Sequence, residues 1–350
     1  MSYLPHYQWA ILLFCSLAYF CVSFVKPKYG TSSAALIGYL GCNAIWQWVW
    51  VNNRYFPLNP YDQMAIRYFA ADSLCRLLLV LLPLMLLTKR NLEVYGKMGV
   101  EVFVYVNSLM VLIQFLIHRC AVDNSCGGLG NPSIIVGASI CALPVIAKDL
   151  KKSWPIILLV GLSAIASKSS VALGLFGLYL MFSLMGRYAI LGIAASIAPL
   201  VIGYFLLGKD TLLGSSGRFM LWEYMMSKWA VWWNLPMGTG WGTYHVFSIN
   251  LQAADNIAPG AYWNTLHNDW LQMVFEGGVV GAFLMVATYL TALYKVVCEH
   301  RWELAVSILL FGLYLGVNPG LHHAIPSLFG AWLFVHALRQ PTRGACLCLA

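Results

Sequence analysis

Long apolar segments recur along almost the whole of this 350-residue chain. A helix needs about 20 mostly apolar residues to cross a bilayer. Eleven segments approach that length, near residues 8–25, 33–51, 65–87, 98–117, 133–147, 153–167, 170–186, 188–207, 274–294, 303–318 and 322–338. The fifth and sixth are short, which leaves open a merged or re-entrant element. The pattern predicts an all-α, polytopic transmembrane helix bundle, organised as a single membrane domain over residues 1–350.

The composition excludes an ordinary soluble protein. Hydrophobic residues make up 60% and charged residues 10% of the chain, whereas about 25% of the residues in a soluble domain are charged. The mean hydropathy is +0.72. The net charge of +8 does not indicate nucleic-acid binding, because no basic cluster is interleaved with aromatic side chains.

The distribution of Lys and Arg predicts the orientation in the membrane. Cytoplasmic loops are enriched in these residues, and thirteen of them fall in one set of loops against six in the other. The N-terminus is therefore expected outside and the C-terminus in the cytoplasm. This orientation makes residues 208–273 an extracytoplasmic loop insert. It also places Cys120 and Cys126 outside, where an oxidising compartment permits either a disulfide or two free thiols.

The first half of the insert has the spacing of an amphipathic helix. Large apolar side chains recur there at steps of three and four, namely Phe219, Trp222, Met226, Trp229 and Trp233. The spacing predicts a helix over residues 217–233. Its apolar stripe suits either the membrane interface or packing against the bundle.

A glycine-rich turn is expected to follow this helix. Pro236 ends the helical pattern, and Gly238, Gly240 and Gly242 permit a tight turn in which backbone N–H groups converge. A nucleotide-binding loop is excluded, since no strand precedes the glycines and no Lys-Ser or Lys-Thr pair follows them.

Arg218 and His267 are the two residues of the insert best suited to chemistry. Arg218 falls in the first turn of the expected helix, where the helix dipole disfavours a cation unless an anion is bound there. The alternative is an arginine that extends to lipid headgroups. His267, followed by Asn268, can act as a base near neutral pH. Its alternative is a structural histidine that caps the ninth apolar segment.

Further cations are expected on the same outer face. Lys168 lies between the sixth and seventh segments, where it either meets an anion or is simply solvated. Arg67, near the outer end of the third segment, is placed to reach a diphosphate, whereas Arg76 has an ion-pair partner four residues earlier at Asp72. His323 is a candidate phosphate contact. The spacing of His, Asp and Glu predicts no metal site.

Three motifs together resemble the O-antigen ligase and polymerase superfamily of bacterial envelope glycosyltransferases. They are Ser215-Ser216-Gly217-Arg218 with Trp222, Pro236-x-Gly238-x-Gly240-x-Gly242-x-Tyr244, and His267-Asn268 followed after eight residues by Gly277. The family usually has twelve spans, so the resemblance and the segment count together predict 11 to 12. The chain departs from the family at Lys168, where members commonly have a serine-arginine pair.

The resemblance implies a metal-independent transferase without a cofactor. The donor would be a glycan linked to undecaprenyl diphosphate. The acceptor would be a sugar hydroxyl of lipid A core or of a second lipid-linked glycan, at the periplasmic face of the bacterial inner membrane. Arg218 would bind the donor diphosphate with Lys168, Arg67 and His323, and His267 would activate the acceptor or stabilise the leaving group. Asn268, Gly238, Gly240, Gly242 and Gly277 would support this site, in lipopolysaccharide or surface polysaccharide biosynthesis.

Two other classes of protein stay open on the sequence. A transporter or flippase of lipid-linked sugars would use charged residues within the spans, although no paired, interrupted helices in two halves are visible. A non-enzymatic membrane protein would not need Arg218 and His267 together.

Overall fold

A computed structural model describes residues 39, 92–118, 132–167, 169–185, 218–232, 238–255, 265–322 and 324–338. Several residues and segments singled out in the sequence lie outside these ranges: Arg67, Asp72, Arg76, Cys120, Cys126, Lys168, His323, and the apolar segments at 8–25, 65–87 and 188–207. The orientation of the chain and the disulfide stay predictions.

The described part of the chain is entirely helical and contains no strands. Its α-helices are α1 (Lys97–His118), α2 (Pro132–Ile146), α3 (Leu150–Ala166), α4 (Ser170–Met185), α5 (Arg218–Trp232), α6 (Tyr244–Ala254), α7 (Asp269–Cys298), α8 (Trp302–Leu315) and α9 (Ala324–Leu338). A π-helical turn, Leu92–Gly96, leads into α1, and a 3-10 turn, Gly320–His322, precedes α9. Within the described ranges, the predicted helical positions of the segments from 98 to 186 and from 274 to 338 are confirmed, as is the predicted helix at 217–233, which is described over Arg218–Trp232.

The short fifth and sixth segments form two separate helices, not a merged one. The chain leaves α2 at Ile146, and Asp149 then caps α3 by accepting a 3.0 Å hydrogen bond from the backbone N–H of Lys151. A carboxylate at this position satisfies one of the free N–H groups of the first helical turn. The polar residues at 148–149 therefore separate two helices that are each shorter than a typical span.

Helix α2 is the centre of the described bundle and packs against α1, α3, α4, α8 and α9. Its contact with α8 is especially close, because a Cβ added at Gly137 would lie 2.7 Å from the Tyr314 ring. The Tyr314 hydroxyl donates a 3.0 Å hydrogen bond to the Ile134 carbonyl, and the Ser307 hydroxyl donates to the Cys141 carbonyl. Buried hydroxyls of α8 thus find their acceptors on the backbone of α2.

Two helical stretches in the described part are long and apolar enough to cross a membrane: Val94–Ile117 and Asp269–Cys298. Four shorter apolar helices accompany them, at Ile134–Ile146, Ser170–Ser183, Trp302–Leu315 and Pro326–Leu338. Helix α1 also exposes large apolar side chains, including Leu116 and Ile117. The length and apolar composition of the two long helices are those that a membrane crossing requires.

Candidate functional site

The insert meets the bundle at a kink in α7. Gly278 has φ 64° and ψ −168°, which is not helical and interrupts the helix between its first two turns and the rest. A kink of this kind leaves carbonyl groups of the preceding turn without their usual intrahelical partners. In this chain those carbonyls become the attachment points for the rest of the site.

The glycine turn supplies hydrogen-bond donors to the kink. The backbone N–H of Thr239 donates to the Phe275 carbonyl and that of Gly240 to the Glu276 carbonyl, both at 2.8 Å. Gly238, with φ 70°, lies so close that an added Cβ would overlap the backbone of Glu276 and Gly278. The N–H groups of residues 239 and 240 are therefore used to dock the turn on α7.

Two further glycines of the predicted site, Gly242 and Gly277, have a local structural role. Gly242 adopts φ 84°, in the left-handed region that favours glycine. The Gly277 carbonyl accepts a 2.6 Å hydrogen bond from the Tyr39 hydroxyl. The Tyr39 ring also lies against α7, 3.1 Å from where a Cβ on Gly281 would be. Small residues at 277 and 281 thus admit this ring.

His267 lies two residues before the start of α7, in a backbone conformation that few residues adopt. Its φ is 51°, which costs a non-glycine residue about 1–2 kcal/mol. The preceding residue, Leu266, is fully buried. The Leu266 carbonyl accepts a 2.6 Å hydrogen bond from the indole N–H of Trp222, and its N–H donates to Gln272 Oε1 at 3.2 Å. Contacts on both sides of Leu266 thus hold the half-buried His267.

Asn268, not His267, caps helix α7. The Asn268 side-chain oxygen accepts a 3.1 Å hydrogen bond from the N–H of Leu271, in the arrangement of an N-cap. The helix therefore begins at Asp269, five residues before the apolar segment recognised in the sequence. This assigns the capping role to Asn268 and leaves the imidazole of His267 outside the helix.

Arg218 is the first residue of α5 and reaches into the protein. Its guanidinium donates a 3.2 Å hydrogen bond from Nη1 to the Val317 carbonyl, in the segment between α8 and α9. Burial lowers the pKa of Arg218 from its ordinary value. Among the described residues, no carboxylate pairs with Arg218, so its position at a helix N-terminus is that of a cation available to an anion.

Arg218 and His267 belong to one junction because Trp222 connects them. Arg218 and Trp222 are four residues apart on α5 and so lie on the same face of that helix. The Trp222 indole is bonded to Leu266, the residue before His267. The helix that carries Arg218 is therefore bonded to the residue before His267.

Asp269 also contacts the segment between α8 and α9. Its carboxylate is almost fully buried, and Oδ2 accepts a 2.7 Å hydrogen bond from the N–H of Leu321. The residue occupies the first turn of α7, where the helix dipole favours an anion. Arg218 and Asp269 thus hold residues 317 and 321 of one short segment, directly before His323.

The buried face of α5 differs from the predicted apolar stripe. Leu221 and Met225 are fully buried, whereas Met226 is 37% exposed. The two buried side chains belong to a cluster, here called the insert cluster, made of Leu221, Met225, Tyr244, Phe247, Leu251, Leu266 and Phe275. Trp222 packs at its edge. The helix was predicted correctly, and its fully buried side chains, Leu221 and Met225, each precede a member of the predicted stripe by one residue.

Sequence reasoning missed Glu276 and Gln272. Glu276 is fully buried, and its Oε1 accepts hydrogen bonds from the N–H of Tyr244 at 3.2 Å and from Gln272 Nε2 at 3.1 Å. An acidic residue within an apolar segment is itself a signal of function. That signal was present in the printed sequence, two residues before Gly278.

Three members of the predicted diphosphate-binding set, Arg67, Lys168 and His323, lie outside the described residues. Within the described ranges, no three His, Cys, Asp or Glu side chains group together as metal ligands would.

Comparison of the chain with protein-family models, with curated proteins and with solved structures finds no match in any of the three. The class that the fold itself defines is an all-helical protein, over the described ranges, with two helices capable of crossing a membrane.

Proposed function

We propose that this protein is a metal-independent glycosyltransferase of the O-antigen ligase or polymerase kind. It would move a glycan from undecaprenyl diphosphate to an acceptor sugar hydroxyl, in lipopolysaccharide or surface polysaccharide biosynthesis. The observation that carries the proposal is the junction of Arg218 and His267 through Trp222. A half-buried cation at a helix N-terminus lies one turn from Trp222, whose indole is bonded to the residue before a histidine in a strained backbone conformation. Strained residues of this kind concentrate at functional sites.

The two residues match the two needs of the reaction. The acceptor hydroxyl must lose a proton as its oxygen bonds to the anomeric carbon, and His267 is the proposed base. The bond between that carbon and the diphosphate oxygen breaks at the same time. Arg218 is proposed to stabilise the negative charge that develops on the departing undecaprenyl diphosphate. The proton taken by His267 is then released to the diphosphate or to water.

The proposal includes a position in the bacterial inner membrane. The chain would be a multi-pass protein of 11 to 12 spans, with its N-terminus outside, its C-terminus in the cytoplasm and residues 208–273 in the periplasm. Reporters fused after Asp255 test this orientation, since that residue is exposed and lies directly after the end of α6. Activity of a periplasm-specific reporter is expected there. Activity of a cytoplasm-specific reporter instead would contradict both the orientation and the reaction.

The reaction is tested with purified protein in proteoliposomes containing an undecaprenyl diphosphate glycan. One preparation receives lipid A core as acceptor, and a second receives only further lipid-linked glycan. Attachment to the core identifies a ligase, and lengthening of the lipid-linked chain identifies a polymerase. The matched control for H267A is H300A, because His300 has a similar backbone conformation, φ 53°, at the opposite end of α7. Failure of the wild-type protein with both acceptors would remove the proposal.

A further inference from the structure

Glu276 is a buried carboxylate to which the proposed reaction gives no role. It lies in the second turn of α7, it has no exposed surface, and its Oε1 receives hydrogen bonds from Gln272 and from the first residue of α6, Tyr244. A carboxylate at the N-terminus of α6 is favoured by the dipole of that helix. This interaction compensates in part for the cost of burying the charged group.

Glu276 also determines which way the amide of Gln272 faces. A carboxylate oxygen accepts hydrogen bonds, so it selects the NH2 group of Gln272, and the amide oxygen must then face the opposite way. In that direction lies the N–H of Leu266, which donates to Gln272 Oε1 at 3.2 Å. The hydrogen bonds form a continuous path from Glu276 through Gln272 to Leu266, and from Leu266 to Trp222.

This path passes through Leu266, the residue that precedes His267. A left-handed φ at a non-glycine residue persists only where the surroundings hold it firmly. Leu266 is held on one side by Trp222 of α5 and on the other by Gln272 of α7. If the Gln272 amide turned over, an NH2 group would face the Leu266 N–H and the second of these supports would be lost.

We infer that Glu276 is a positioning residue that holds His267 in place through Gln272. The inference rests on the proposed function for its catalytic consequence. It assigns Glu276 no contact with substrate and no proton transfer. Its effect is exerted on the geometry of the base, where a displacement of about 1 Å can cost about 100-fold in rate.

Three variants test the path. E276L removes the acceptor. Q272E leaves an acceptor for the Leu266 N–H but places a second carboxylate next to that of Glu276, where neither group can donate a hydrogen bond. The double variant Q272E/E276Q restores the pattern with donor and acceptor exchanged. The carboxylate introduced at position 272 can accept from Leu266 and from the amide introduced at position 276, and the oxygen of that amide can accept from Tyr244.

The expected effects on transfer follow from this pattern. Both single variants are expected to lower transfer by up to about 100-fold, because each disturbs the support of His267. The double variant is expected to recover most of that loss.

A second readout does not depend on transfer. Diethyl pyrocarbonate modifies accessible imidazoles, and mass spectrometry gives its rate at each histidine. His300, which is exposed beyond the far end of α7, is the internal control. The rate at His267 is expected to change several-fold in both single variants and to return in the double variant, while the rate at His300 stays constant. Thermal unfolding of each protein identifies a variant that has merely lost its fold.

The outcomes separate this inference from the proposed function. Wild-type modification rates at His267 in the folded Q272E protein would overturn the inference, as would a double variant that recovers neither readout. Loss of transfer in Q272E with an unchanged rate at His267 would also overturn it and indicate a general structural role. If the wild-type protein transfers no glycan, the proposed function fails, while the modification rates still decide whether Glu276 positions His267.

Discussion

The indole N–H of Trp222 donates a 2.6 Å hydrogen bond to the carbonyl of Leu266, and this contact joins helix α5 to the peptide before His267. The two residues are 44 positions apart in the chain. Through this contact Arg218, one turn before Trp222, and His267 occupy the same junction between the insert and the bundle. This junction can be tested residue by residue.

Replacement of Arg218 should impair use of the lipid-linked donor. R218A removes the cation and is expected to lower transfer by about 10²- to 10³-fold, the usual cost of losing a group that stabilises developing negative charge. R218K should be intermediate, since lysine keeps the charge but lacks the planar fork. The measurement is the rate of transfer in proteoliposomes as donor concentration is varied.

The control for R218K is R301K. Arg301 likewise donates a hydrogen bond to a backbone carbonyl, that of His336, but at the other end of α7. Its replacement should leave transfer unchanged. Equal activity of the wild-type, R218K and R218A proteins would show that Arg218 only supports the Val317 segment.

His267 should be needed for transfer but not for folding. H267A is expected to lose about 10²- to 10⁴-fold in rate, the range for general-base assistance. H267Q can form hydrogen bonds but cannot take up a proton at neutral pH. A glutamine variant as inactive as alanine, with donor binding intact, therefore supports proton transfer. A glutamine variant with most of the activity would instead make His267 a positioning group, and wild-type rates in both would remove the site.

Gly238 should tolerate no side chain. Alanine at φ 70° costs about 1–2 kcal/mol in backbone strain, and its Cβ would also overlap the backbone of Glu276 and Gly278. G238A should therefore lower the temperature of thermal unfolding and detach the glycine turn from the kink. The matched variant is G174A in α4, where an added Cβ meets no atom within 4 Å. An unchanged unfolding temperature in G238A would contradict the docking of the turn.

The contact between α5 and the end of α6 should weaken in acid. Lys228 lies 2.6 Å from Asp255 Oδ2, and the Tyr224 hydroxyl donates to the same oxygen at 2.8 Å. The hydrogen bonds from Lys228 and Tyr224 hold the pKa of Asp255 below its ordinary value. The stabilisation is therefore fully present above the ordinary carboxyl pKa of about 3.9. It is lost as the pH falls through the lower, folded-state pKa.

Limited proteolysis of the insert measures this effect. D255N should be cleaved faster than the wild-type protein at neutral pH, and the difference should shrink as the pH falls below about 4. K152M is a suitable control, because Lys152 forms a 3.7 Å ion pair with Asp149 while 86% of its side chain is exposed. A difference between D255N and wild type that is constant with pH would contradict an ionised Asp255 in this contact.

Among the described residues, sequence reasoning placed every α-helix except α6, but it did not give the contacts between the helices. The lengths of the apolar segments predicted α1 to α4 and α7 to α9. A helix that is buried or spans a membrane needs continuous apolar residues, whichever elements pack against it. For α5 the same reasoning found the helix but did not predict which side chains are fully buried. The spacing of Trp222 and Met226 describes one stripe, but the insert cluster formed with α6 and Leu266 buries Leu221 and Met225.

For the candidate site, too, the sequence indicated the residues and the tertiary structure determined their contacts. Residue types and local spacing indicated Arg218, His267 and Asn268. The helix dipole disfavours a cation in a first helical turn, and an imidazole at a helix boundary can take up a proton near neutral pH. The long-range hydrogen bonds from Arg218 to Val317, from Leu321 to Asp269 and from Thr239 to Phe275 were not readable there. Tertiary structure alone decided them, because each joins segments that are far apart in the chain. In the last of the three, the partner of the Phe275 carbonyl depends on which backbone segment packs against the kink at Gly278.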